Sequence, residues 1–304
     1  MANPSMEDLT GFAIDLGGTK IAAASIQSGQ VEDLIIRKTN GQSAPDELLA
    51  ELFDLSSEIG FTNNAPIGVA VAGLLDERGR WSAVNKSILK NLNDMPLTER
   101  LRARFGMRCS VLNDTRAAAY GEHRFGAGRN SSSMAYLTVS TGISAGFVID
   151  HQLLRSPNGL LGHVGFMTSM KGSNACGSGR FGTFESIASG RSIEARAQAL
   201  GHRGLDSRQI FQKADEGVHW AADLVDDACA AVAELCANLS ASLGIELVVL
   251  GGGVGLSEGY LNRVANHLNA EPERFKPKLV SAGLGKNSGL LGALATAMER
   301  SGAE

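Results

Sequence analysis

Gly11-Phe12-Ala13-Ile14-Asp15-Leu16-Gly17-Gly18-Thr19-Lys20-Ile21-Ala22-Ala23-Ala24-Ser25-Ile26 is the stretch that decides the fold. An apolar segment ends at Asp15-Leu16, a glycine pair turns the chain, and a second apolar segment follows at once. A strand that doubles back this soon is a hairpin, not the first half of a strand–helix unit. The pattern returns at 134–139, Ser140-Thr141-Gly142 and 146–149. Two more short apolar segments flanked by glycine, 67–74 and 246–250, read as buried strands. Other segments have helical spacing. Ser43 offers an N-cap, Pro45 suits the first turn, and Leu48, Leu52, Leu55 and Ile59 then share one face. The longest helix is expected at about 217–243, where Trp220, Leu224, Ala228, Val232, Leu235, Leu239 and Leu243 recur at steps of three or four. The fold class is therefore α/β, with mixed sheets flanked by helices.

Composition narrows the function. With 304 residues, 43% hydrophobic and a net charge of -4, the chain is neither disordered nor a nucleic-acid binder working by bulk charge. The longest apolar runs fall well short of the roughly 18 residues of a membrane helix, so no membrane partner is expected. The N-terminus lacks the basic start and apolar stretch of a signal peptide. Cys109, Cys176, Cys229 and Cys236 form no CxxC pair, which fits a reducing cytoplasm.

Glycine makes up 37 of the residues, about 12% where about 7% is usual, and the excess sits in turns after strands. At Asp15-Leu16-Gly17-Gly18-Thr19-Lys20, backbone N–H groups, a hydroxyl and an ammonium could line a phosphate, and Asp15 could hold magnesium through water. An ordinary hairpin turn explains the same residues. Further turns lie at Thr141-Gly142 and Gly252-Gly253. No Walker A pattern exists. GxGxxG at 177–182 follows a polar stretch rather than a strand, and GxSxG at 142–146 leads into another apolar segment rather than a helix. Val111-Leu112-Asn113-Asp114 ends a strand with an amide and a carboxylate and opens a helix. Asp114 is placed there either as a general base or as the helix cap.

In order and spacing, these segments resemble the ROK family of sugar kinases and repressors, within the actin–hexokinase–heat-shock ATPase superfamily, along almost the whole chain. The matching stretches are DLGGTK (15–20), GVAVAGLLD (68–76), NDTRAAAYGE (113–122), the loop at 140–146, the glycines at 248–253, and ESIASG (185–190). The resemblance implies a two-lobed actin-like ATPase fold, ribonuclease H-like. One lobe is expected at 1–114, joined by a C-terminal helix at about 289–304, and a larger lobe at 115–288. It implies ATP-dependent phosphorylation of the 6-hydroxyl of a hexose or N-acetylhexosamine bound between the lobes. Asp114 would be the base. Gly73, Asn85, Asn113, His163 and Glu185 would bind sugar. Asp15, Gly17, Gly18, Thr19, Lys20, Thr141, Gly142, Gly252 and Gly253 would serve ATP and magnesium. A homodimer is also implied. The repressors carry a DNA-binding region ahead of the phosphate motif, whereas ten residues precede Gly11 here, so no nucleic-acid partner is expected.

The family's zinc segment departs from its pattern. Phe166 stands at the histidine position, and Cys176, Ser178 and Thr183 at the three cysteines, leaving one ligand where a structural zinc needs four. No zinc is expected. His163 replaces the glutamate most members carry, a change similar to the branch of the family acting on N-acetylmannosamine. A core histidine with a satisfied partner is the plainer alternative. Glucokinase and N-acetylglucosamine kinase activities stay open, as does a sensor that binds sugar without phosphorylating it.

Overall fold

The computed structural model describes residues 4–301 apart from 64, 86 and 87. The expected lobe ends at 1–3 and 302–304 lie outside the described residues, as do Lys86 and Ser87 beside Asn85. The chain divides into two compact units. The first draws on Met1–Arg129, Leu153–Leu161 and Asn287–Glu304, the second on Asn130–Gln152 and Gly162–Lys286.

The first unit opens with the hairpin of β1 (Gly11–Leu16) and β2 (Lys20–Gln27), antiparallel from Gly11 opposite Ile26 to Leu16 opposite Ile21. β3 (Gln30–Lys38) follows, then helix α1 (Pro45–Glu58) and β4 (Ile67–Val71). A small sheet of β5 (Leu74–Leu75), β6 (Arg80–Ser82) and β7 (Met95–Pro96) precedes α2 (Leu97–Phe105), β8 (Cys109–Asn113) and α3 (Asp114–Phe125). The main sheet has the order β3-β2-β1-β4-β8, with β1, β4 and β8 parallel. Leu48, Leu49, Leu52 and Leu55 of α1 are buried in the core beneath it. The N-cap of α1 is Ala44 rather than Ser43. Pro45 starts the helix, and Glu47 Oε2 accepts the Ala44 N–H at 2.9 Å in place of a side-chain cap.

The second unit contains β9 (Ser133–Val139), β10 (Ile143–Ile149) and β11 (Gln152–Leu153), then α4 (Phe184–Ala188), α5 (Gly190–Ala199), α6 (Ser207–Asp215) and α7 (His219–Leu243). β12 (Leu247–Gly251), α8 (Gly252–Gly255), α9 (Tyr260–Leu268) and β13 (Lys278–Ser281) complete it. Its sheet runs β11-β10-β9-β12-β13, with β10 antiparallel to β9 and β9, β12 and β13 parallel.

The final helix, α10 (Ser288–Ser301), belongs to the first unit. The division expected at 114/115 is corrected on two counts. Helix α3 stays with the first unit because α10 holds it: Ser288 Oγ donates to the buried Glu122 Oε1 at 2.7 Å. Residues 153–161 also return to it, with Arg116 Nε donating to Leu154 O at 2.9 Å and Glu77 N to Pro157 O at 3.0 Å. Among the described residues, no helix is long and apolar enough to cross a membrane.

Candidate active site

In the first unit the expected residues gather at the ends of β1 and β8. The sequence left helix capping and base chemistry open for Asp114, and the structure gives the cap to Asn113. Its Oδ1 accepts from Thr115 N at 3.1 Å, Thr115 Oγ1 at 2.6 Å and Arg116 N at 3.2 Å. Its Nδ2 donates to Gly73 O at 3.1 Å, which brings two expected sugar residues together. Asp114 is therefore the first helical residue, half-buried, and accepts from Thr115 N at 2.8 Å. Burial pushes its carboxyl up to about 7, and the nearby Asp15 carboxylate adds to the rise. Asp15 is itself pushed up to about 6 by burial, with Lys20 opposing. A pair of close carboxylates, each penalised for its charge, is an environment that a divalent cation would relieve. The turn between β1 and β2 is closed by Gly17 N donating to Lys20 O at 2.9 Å, and Thr19 and Lys20 are exposed. Asn85 lies in the turn after β6, its carbonyl accepting from Ile88 N at 3.0 Å.

In the second unit the Ser140–Gly142 turn meets Glu185. Glu185, half-buried near the start of α4, accepts from Ile143 N at 3.3 Å. A Cβ on Gly142 would sit 2.7 Å from Glu185 Oε2, so a larger residue there would push the Glu185 carboxylate aside. Burial raises the Glu185 carboxyl above its ordinary value. His163 is half-buried and stacks on Phe166, ring centroids 5.8 Å apart.

The remaining zinc positions are occupied by other bonds. Cys176 Sγ lies 3.0 Å from Ser178 Oγ, and the fully buried Thr183 caps α4 by accepting from Ser186 N at 3.2 Å. Phe166, Ser178 and Thr183 do not supply the donor set that zinc requires.

The structure accounts for two of the glycine motifs. Ser144 lies within β10 and donates to Gly162 O at 3.0 Å, so it is no nucleophile on a strand-to-helix elbow. Gly252 has φ +86°, and its missing Cβ would meet Val139 O at 2.4 Å. Protein packing by itself demands glycine there, whereas the nearest atom beyond Gly253 is Ser140 Oγ at 3.7 Å. Sequence reading missed Thr115, which locks Asn113, and Glu234 of α7, which binds the loop ahead of α4. A charged residue between Ala233 and Leu235 in an apolar helix was the available signal for the second.

Comparison with known proteins places the chain among its relatives. The chain is 37% identical over 286 residues to an N-acetylmannosamine kinase of Escherichia coli O139:H28, covering 94% of this chain and 97% of that one. Among solved structures it is similar to a ROK hexokinase from Thermus thermophilus, at 33% identity and TM-score 0.78 over 97% of this chain and 100% of the other. It is also similar to a ROK family glucokinase from Streptomyces griseus in complex with glucose and AMPPNP, at 25% identity and TM-score 0.81 over 95% and 99%. The ROK family model matches residues 11–300, and with the carboxylate and glycine geometry above, the chain belongs to that family.

Proposed function

We propose that this chain is an ATP-dependent sugar kinase that phosphorylates the 6-hydroxyl of N-acetyl-D-mannosamine. The observation that carries the reading is Asp114: a carboxyl at the end of a parallel strand, held by Thr115 and Asn113, with its ionisation moved to about 7. A general base is most effective with a pKa near the working pH. Asp114 takes the proton of the attacking hydroxyl. Glu185 accepts hydrogen bonds from ring hydroxyls, and His163 supplies a donor or acceptor beside them. Asn113, its oxygen spent on the α3 cap, contributes through its amide nitrogen. Backbone N–H groups at Gly18-Thr19 and at Thr141-Gly142 hold phosphates. Asp15 is the residue that would hold magnesium, which when bound neutralises phosphate charge.

The substrate choice rests on the N-acetylmannosamine kinase relative and on His163 in place of glutamate. The substituted ligand positions favour a kinase working without structural zinc. Family resemblance favours a homodimer, and four cysteines with no disulfide among the described residues accord with a cytoplasmic setting.

The test is coupled ADP release with ATP and magnesium against N-acetylmannosamine, N-acetylglucosamine, glucose, mannose and fructose. Turnover highest with N-acetylmannosamine is expected. Preference for another sugar overturns the substrate, and no turnover in protein still thermally stabilised by sugar overturns the kinase.

A further inference from the structure

One carboxylate that would touch no substrate holds the segment that delivers Glu185. Glu234 Oε2 accepts from Ser169 Oγ at 2.7 Å, and its Oε1 accepts from Met170 N at 3.1 Å. The Ser169 hydroxyl, buried, also accepts from Lys171 N at 3.2 Å. Two helical turns earlier, on the same face of α7, Asp227 takes Lys171 Nζ at 3.3 Å and Arg196 Nη2 at 2.8 Å. The anchored limb is laced to the limb that enters α4. Ser169 N donates to Gly182 O at 2.9 Å, Phe184 N donates to Met167 O at 3.0 Å, and Thr168 pairs antiparallel with Thr183. Thr183 caps α4, in which Glu185 is the second residue. The path from Glu234 to Glu185 thus runs through Ser169, Gly182 and Thr183 without a gap.

We propose that Glu234 is a positioning residue for sugar binding: it fixes the hairpin 167–184 on α7 so that Glu185 meets the sugar already oriented. This rests on the sugar-kinase reading. A glutamine at 234 offers one acceptor oxygen to two donors, and its amide group must face an N–H or a hydroxyl already engaged by Lys171. With glutamine the Ser169 hydroxyl can turn to accept the amide N–H but then no longer donates to position 234, so only the carboxylate keeps both present bonds. An oriented ligand group that becomes loose weakens binding of the ligand it serves and leaves the other substrate alone.

The experiment is steady-state kinetics on the full chain with N-acetylmannosamine and ATP varied in turn, alongside hydrogen–deuterium exchange without substrate. Glu234→Gln is expected to raise the sugar KM about tenfold, with kcat and the ATP KM within about twofold of wild type. Ser169→Ala, the milder change, is expected to move the sugar KM in the same direction, and the double variant to add little to the worse single one. Faster exchange is expected at Met170, Phe184 and Ile143. A wild type that turns over sugar while neither variant changes the sugar KM overturns the proposal, as do equal rises in both KM values. If the wild type phosphorylates no sugar, the kinase reading fails by itself. Exchange then decides the positioning, with unchanged protection at Phe184 and Ile143 in Glu234→Gln overturning it.

Discussion

Replacing Asp114 by asparagine should damage activity and raise stability together. The Asp114 carboxyl, ordinarily ionising at 3.8, is pushed up to about 7 by burial and by the charge of Asp15. The native state therefore holds this proton more tightly than the unfolded chain does. Its contribution to stability is complete below 3.8 and is lost as pH rises towards 7. A shift of about three units corresponds to about 4 kcal/mol of stability forfeited at pH 8, and to under about 1 kcal/mol at pH 4. Asparagine is neutral throughout, and its oxygen can still accept from Thr115 N. Asp114→Asn should thus unfold roughly 6 °C higher than wild type at pH 8, if the chain unfolds cooperatively, and almost with it at pH 4. Its kcat should fall about 10²–10⁴-fold, the usual worth of a positioned base. Scanning calorimetry at the two pH values and coupled ADP release measure both arms. A melting temperature at pH 8 equal to or below wild type would refute the burial argument. Near-normal turnover would refute the base.

Other perturbations test neighbouring steps. Wild-type kcat/KM should rise with pH through about 7 as Asp114 ionises in the free enzyme, and a flat profile from pH 5.5 to 8.5 would contradict that assignment. Glu185→Ala should raise the sugar KM about ten- to a hundredfold through loss of charge-assisted hydrogen bonds, and an unchanged sugar KM would remove Glu185 from the site. Gly142→Ala places a methyl 2.7 Å from Glu185 Oε2, so it should mimic that effect more weakly, and an ATP-only defect would argue against the contact. Metal analysis of purified protein should find no stoichiometric zinc; finding it would show that the segment recruits ligands other than Phe166, Ser178 and Thr183. Tyr260 is fully buried and its hydroxyl meets no hydrogen-bond partner among the described residues, so Tyr260→Phe should stabilise by about 1 kcal/mol, and a lowered melting temperature would reveal a hidden partner.

The elements most legible in the sequence were those fixed by local pattern. The glycine pair after Leu16 gives the β1–β2 hairpin, and steps of three and four give α7 within two residues of its observed start. What stayed hidden depends on contacts far along the chain. Asn113 and Asp114 are both good caps, and sequence cannot choose between them. The choice is made by where β8 stops, and that is set by pairing of Asn113 with Val71 of β4. A division at 114/115 looked natural because Asp114 opens a helix. Helix α10, from the far end of the chain, instead ties α3 to the first unit. The hairpin 167–184 shows nothing of its anchor, since Glu234 lies 65 residues beyond Ser169.

In both main sheets an antiparallel hairpin is followed by parallel strands, yet the sequence carries no matching repeat. A buried strand asks only for apolar residues of suitable size, so equivalent strands are free to diverge. Strand ends are more constrained. In the first sheet Asp15 pairs in register with Ala70, and Ala70 with Leu112, so Asp15 and Asp114 reach the same carboxyl-terminal edge of three parallel strands. Ligands of α/β sheets gather at that edge because loops and helix N-termini converge there. Neither carboxylate is costly alone in a solvated turn. Placed at one edge, both are pushed up by burial and Asp15 raises Asp114 further, so the fold itself brings a carboxyl towards neutral pH, as a general base requires.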